Sequence, residues 1–396
     1  MKVFSVKNQN FLGHGAGKIK ALYMQNPNLP IQIPVYNELK SIGQAHNFDV
    51  FIHGQDELLN DTFMKYPSAR YCEFGVWSQD NKTIISKDGE LSIISGLYMP
   101  EEEQAASQNF AEVRGIEHKK VELLLEGGNL FLGKKFDGKN YLIIGFKDVH
   151  ISAIHNYLKE KFGSITYEDM DEFTSELKLN KNGIIATYEE FNKNFSKWEM
   201  FVLDELKEAF DVDKNDITIL PQGQYHNDLV IRPLDYPYVL VNDEKKSEEN
   251  LNRLKKFYKF SINSHLFARK HFKKIKEQNE RYASCDDLCK HLEKAGFIPI
   301  KIGGVYGIKT INFINAIVHQ EEQGLIYITN SGISKNKNYI FLQALFEQQL
   351  KKSCPQISRV YFVDGSPLSN GSNIVLEYLK THKGGIHCLC AEEMCG

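Results

Sequence analysis

Residues 121–163 read VELLLEGGNLFLGKKFDGKNYLIIGFKDVHISAIHNYLKEKFG, and the order of patterns inside them decides the fold class. Two short apolar runs, 121–128 and 140–146, are bounded by Gly, Asn and Asp, as buried strands are. The run 151–163 then takes a helical pattern and stops at Gly163, the residue type that most readily turns left-handed past a helix end. Strand, strand and helix in close succession predict an α/β protein.

The same alternation continues in both directions. Strand-like runs recur at 31–36 (IQIPVY), 48–53, 82–86, 91–99, 183–188 (GIIATY), 217–221, 228–234, 238–243, 324–332 and 359–365. Between them, 196–210 places Val202, Leu206 and Phe210 on one helical stripe. With no Pro-rich or Ser-rich linker, residues 1–396 are expected to form one domain. The one shift in composition is a charged helical stretch at 244–281. It reads either as a solvated helical pair with its aromatics turned inward or as a basic face for an acidic partner.

Composition removes several classes. The 396 residues are 42% hydrophobic, enough for a sizeable core. A near balance of 48 basic and 51 acidic residues gives no global field towards nucleic acid or membrane, so neither is expected as a partner. The N-terminus lacks a signal-peptide core and no run approaches the roughly 20 apolar residues of a span, which predicts a soluble cytoplasmic protein. Seven cysteines without a framework of spacings predict reduced thiols.

Four stretches carry candidate chemistry. In YHNDLVIRPL (225–234), His226 and Asp228 stand two apart at the head of a strand-like run and would share one face, a base beside a carboxylate; a polar strand flank reads the same way. In LLLEGGNLFLG (123–133), Glu126 ends an apolar run before two glycines, where an acid needs a partner, although a simple turn also fits. In EFGVWSQDNKTII (73–85), Asp80 precedes a strand or merely begins an Asp-Asn turn. In GGIHCLCAEEMCG (384–396), two glycines lead to His387 and Cys388, an exposed nucleophile if the thiol ionises.

Together, in this chain order, the acid, Glu-Gly-Gly, His-x-Asp and C-terminal Cys stretches resemble the motif set of the pentein superfamily of guanidine-modifying enzymes, over residues of about 75 to 390. The resemblance implies a pseudo-fivefold α/β propeller with a charged helical insertion at 244–281. It also implies roles: Cys388 as nucleophile, His226 as general acid and base, Asp228 and Asp80 as the guanidinium clamp, and Glu126 as the carboxylate that orients His226 or binds substrate. The implied reaction deiminates a guanidine, either a small molecule such as agmatine or arginine or a protein arginine side chain, and it calls for no cofactor or metal. Amidinotransfer to an amine and a non-catalytic pentein-like binding protein are the alternatives. In the same reading Asn312 and Asn315 lie in a segment that lines the site, while Arg232 is a candidate binder of a substrate carboxylate or a surface salt bridge. The remaining cysteines leave open a zinc site joining Cys285 and Cys289 to the tail, or a Cys390–Cys395 disulfide. The phosphate-loop imitation GHGAGK (13–18) lacks the spacing and is discounted.

Overall fold

The computed structural model describes residues 17–25, 29–53, 58–59, 83–87, 90–97, 101–178, 182–223, 226–279, 281–307, 310–332, 336–365, 375 and 385–394. Strand β1 (Ile19–Gln25) leads through α1 (Leu29–His46) to β2 (Asp49–His53), parallel to β1, and β3 (Leu58–Leu59) pairs antiparallel with β2. One pattern then recurs: an antiparallel pair, a helical crossover, and a third strand parallel to the second. Its first instance is β4 (Thr83–Lys87), β5 (Glu90–Ser95), α2 (Glu101–Arg114) and β6 (Glu117–Lys120). The next joins β7 (Leu130–Lys134) and β8 (Asn140–Gly145) through α3 (Phe146–Phe162), α4 (Tyr167–Lys178), α5 (Asn182–Lys193) and α6 (Phe195–Phe210) to β9 (Ile217–Leu220). It is followed by β10 (Ile231–Pro233) and β11 (Tyr238–Asn242), crossing through α7 (Glu244–Phe257), α8 (Ile262–Asn279) and α9 (Cys285–Lys294) to β12 (Ile298–Ile302). The last comprises β13 (Ala316–Glu321), β14 (Gly324–Asn330), α10 (Lys337–Ser353) and β15 (Ile357–Val363). Strand β16 (Cys390–Met394) lies antiparallel to β1, so the end of the chain supplies the first strand of the first unit. Among the described residues the strands form five small sheets.

The continuous apolar runs in the sequence have a physical cause. Side chains alternate across a strand, so a middle strand covered on both faces must be apolar at every position. In β14, Ile326 and Ile328 enter one core and Leu325 and Tyr327 another; in β8, Leu142 and Ile144 separate in the same way from Tyr141 and Ile143. The cores that result join consecutive sheets. Tyr23 shares a core with Ile93, Ile94 with Leu142, Ile143 with Val239, and Leu240 with Tyr327, while Leu22 of the first sheet and Ile326 of the fifth lie in one core.

Several sequence expectations are corrected. IQIPVY (31–36) lies in α1, where Val35, Tyr36, Leu39 and Ile42 are buried at a helical spacing that the short run alone does not reveal. GIIATY (183–188) lies in α5, whose Ile184 and Tyr188, one turn apart, pack on the α3–α6 core. The run 121–128 buries Leu123, Leu124 and Leu125 but forms no strand. Its amides go to side chains instead, Leu124 N to Ser152 Oγ and Glu126 N to Asp148 Oδ2, and the strand begins only at Leu130. The charged stretch 244–281 forms α7 and α8 and is the crossover of its own unit.

Candidate active site

A tight turn stands just ahead of the first strand of a unit, and the candidate residues sit on these turns. Glu126 and Asn129 precede β7, His226 and Asp228 precede β10, Asn312 and Asn315 precede β13, and His387 and Cys388 precede β16. Asp80 occupies the corresponding place ahead of β4 in the sequence but lies outside the described residues, as do Cys72 and Cys395. Buried asparagines clasp one turn to the next. Asn129 Oδ1 accepts from Asn227 N at 3.0 Å, Asn312 Nδ2 donates to Leu229 O at 2.9 Å, and Asn315 Oδ1 accepts from His387 N at 3.0 Å. Gly385 is required at the last of these joints, because a Cβ there would stand 2.5 Å from Asn315 Oδ1 and 2.6 Å from the Asn330 amide.

Asp228 is the hub. Its carboxylate is fully buried, and Oδ2 receives the Cys388 thiol at 3.1 Å, Asn315 Nδ2 at 2.7 Å and His387 Nδ1 at 3.0 Å. Asn315 Nδ2 also reaches Cys388 Sγ at 3.2 Å, so sulfur, amide and carboxylate form a triangle. The other oxygen, Oδ1, has no hydrogen-bond partner among the described residues. Burial pushes the Asp228 carboxyl up, but hydrogen bonding to His387, the charges of His387 and His226, and the Cys388 thiol more than offset it, leaving it below the usual carboxylate range.

The far side of His387 fixes its tautomer. Arg232 NH1 contacts His387 Nε2, and a guanidinium can only donate, so Nε2 accepts and Nδ1 carries the proton given to Asp228. Arg232 itself is fully buried and donates to Glu392 Oε1 at 3.2 Å. This corrects its reading as a surface salt bridge or a substrate-carboxylate binder: it lies behind the site, tied to His387 and Glu392.

Burial pushes the Glu392 carboxyl up to about 7, with Arg232 pulling the other way. A folded-state value above the unfolded 4.5 means the favourable contribution is complete below the unfolded value and is lost as pH rises through 7. The Glu392→Gln variant keeps the hydrogen bond to Arg232 and removes the titration. Between about pH 5 and about pH 8 its thermal midpoint should therefore fall less than that of the wild type; parallel curves would contradict the assignment.

His226 and Glu126 form a second cluster. His226 Nε2 lies 2.9 Å from Glu126 Oε2, and Lys147 Nζ lies 2.9 Å from Glu126 Oε1. Gly128 leaves room for the His226 ring, which occupies the place a Cβ would take. Asn129 Nδ2 donates to Glu126 Oε2 at 3.1 Å and to Asp148 Oδ1 at 2.8 Å. Burial and the nearby Glu126 charge drive the Asp148 carboxyl well above the carboxylate range. The i, i+2 spacing of His226 and Asp228 predicts one shared face of a strand. They stand instead on a 3-10 turn, His226 turned to Glu126 and Asp228 to Cys388.

Four residues of this site were not among the candidates: His387, Glu392, Asn129 and Asp148. Glu392 and Glu393 carry a signal, since two adjacent acids in a short strand at a domain interior demand partners on both faces. The other cysteines among the described residues do not gather. Cys285 and Cys289 pair at 3.9 Å in the core beneath α9, Cys390 packs with Leu22 and Ile326, and no group of three or more His, Cys, Asp or Glu side chains suited to a metal ion occurs among the described residues.

This mixed α/β fold of five small sheets is shared with solved structures of low sequence identity. C. jejuni agmatine deiminase is similar over 100% of this chain and 99% of its own, at 16% identity and a TM-score of 0.55. A structure assigned as an arginine deiminase from Porphyromonas gingivalis is similar over 97% and 98% of the two chains, at 11% identity and a TM-score of 0.52. No protein-family model matches the sequence, and no curated protein does.

Proposed function

We propose that this chain is a guanidine deiminase, a hydrolase that converts a guanidino group to a ureido group and ammonia, built over residues 1–396 as one pseudo-fivefold propeller domain. A shared fold does not by itself carry an activity. The observation that supports this reading is the hub at Asp228: a thiol hydrogen-bonded to one oxygen of an ionised, buried carboxylate whose other oxygen is without a partner among the described residues. A guanidinium is planar and cationic, and its N–H groups suit a carboxylate oxygen set beside a sulfur.

In this reading the substrate donates to Asp228 Oδ1, and Asp80, which precedes β4 in the sequence, completes the clamp. The incoming cation offsets the negative charge around Cys388, whose thiol proton passes to His226 as the sulfur adds to the central carbon. His226, oriented by Glu126, delivers a proton to the departing nitrogen, and ammonia leaves a thiouronium on Cys388. The same His226 then takes a proton from water, hydroxide adds to that carbon, the C–S bond breaks, and the ureido product departs. The substrate class is a small guanidine or an arginine side chain. Ammonia release from arginine, agmatine, methylated arginines and arginine peptides tests this. Release from at least one is expected; none from any of them, or release of ornithine from arginine without ammonia, would reject deimination.

A further inference from the structure

The near-neutral total charge conceals a local separation. Between Leu251 and Lys276 there are nine Lys and Arg residues and no Asp or Glu. Removing those nine from the chain's 48 basic residues leaves the 51 acids in a surplus of twelve over the rest. The basic segment is the part of the α7–α8 hairpin around its turn, with Glu244, Glu248 and Glu249 at the far end of α7, and the turn carries apolar side chains outward: Phe257 is 68% exposed, Phe260 88%, Ile262 76% and Leu266 57%. The inner face of the hairpin is already satisfied, with Leu251, Leu254, Ala268 and Ile275 buried in the core against Phe346.

A charge that faces the turn from a neighbouring element, that of Lys337, has the same sign. Lys337, at the start of α10, stands 4.7 Å from the Tyr258 ring centroid, and the first turn of α10 holds no acid. Lys259 lies over Phe260, and Phe257 is braced edge-on by Tyr258 and tilted against Phe341. Farther along α8, Lys273 is paired with Glu277, one acid beyond the basic segment.

We propose that this hairpin turn docks on an anionic lipid bilayer, Phe260 and Ile262 entering the headgroup layer while the surrounding lysines meet lipid phosphates and carboxylates. Side chains exposed to this degree project from a convex tip, and a fluid headgroup layer can close around such a tip without a matching groove. Anionic lipid supplies the complementary charge. A second copy of this chain would bring its own nine basic residues against the first, which disfavours self-association through this face. No helix among the described residues is long and apolar enough to cross a membrane.

Co-sedimentation of the full-length protein with phosphatidylcholine vesicles and with phosphatidylcholine–phosphatidylserine vesicles tests the proposal. Binding is expected to the mixed vesicles alone and to weaken as salt is raised. The double variant Phe260→Ser/Ile262→Ser should weaken it about tenfold or more, since these exposed groups contribute to insertion and little to folding. The triple variant Lys255→Glu/Lys256→Glu/Lys259→Glu should weaken it on the order of a hundredfold. Circular dichroism melts of both variants are expected to match the wild type. Absence of binding to the mixed vesicles, or binding that survives either variant in folded form, would overturn the proposal. So would a wild-type dimer in sedimentation velocity that Phe260→Ser/Ile262→Ser converts to monomer, or capture by polyglutamate in place of the vesicles.

Discussion

The Cys388→Ser variant loses ammonia release by on the order of 10⁴-fold or more while its thermal midpoint stays close to that of the wild type. The two halves of this expectation come from the same contacts. A serine hydroxyl can donate to Asp228 Oδ2 and accept from Asn315 Nδ2, as the thiol does, so the polar triangle and the asparagine clasps around it persist. What the hydroxyl cannot do is ionise. The thiol must lose its proton beside a carboxylate, and even with a bound guanidinium to offset that charge, the intrinsic acidity of an alcohol is too low. The measurement is ammonia release alongside a melt. Turnover within about tenfold of the wild type in a folded variant would remove Cys388 as nucleophile and, with it, the thiouronium route.

The sequence revealed different parts of the site to different depths. Cys388, His226, Asp228 and Glu126 could be singled out because each sits in a short, unusual local string, such as Glu-Gly-Gly or His-x-Asp. The glycines in those strings have a structural cause. Gly128 leaves space for the His226 ring, and Gly385 for the amides of Asn315 and Asn330. Arg232 was misread because its surroundings are non-local. Nothing next to it in the chain foretells that His387, 155 residues on, and Glu392, 160 residues on, will enclose it. The fold was legible for a similar reason and to a similar limit. Middle strands that feed two cores leave continuous apolar runs, which β8, β11 and β14 display plainly. Runs of like composition in α1 and α5 mimic them because a handful of residues does not distinguish a strand buried on both faces from a helix with one buried stripe. How the five sheets share their cores depends on which side chains meet across sheets, information that a single strand does not hold.

The Asp228→Asn variant should reduce kcat/KM by on the order of 10³-fold, with KM raised as well as kcat lowered, because the substituted amide fails in either orientation. If its oxygen faces His387 Nδ1–H, Asn315 Nδ2 and the Cys388 thiol, its NH₂ is presented where Oδ1 now stands, and a guanidinium meets donors in place of an acceptor. If its NH₂ faces inward, it opposes the Nδ1 proton of His387, which cannot move to Nε2 because the Arg232 guanidinium occupies that side as a donor. Stability moves with pH in a stated direction. The Asp228 carboxyl titrates below its usual range in the folded protein, so its stabilising contribution is present above the unfolded value near 3.8 and is lost as pH falls through the folded one. The variant should therefore melt below the wild type at neutral pH, with the gap closing in acid. Activity retained within about tenfold would place the guanidinium clamp elsewhere, and a stability gap that stays constant from neutral to acid would mean that Asp228 is not held ionised by the donors around it.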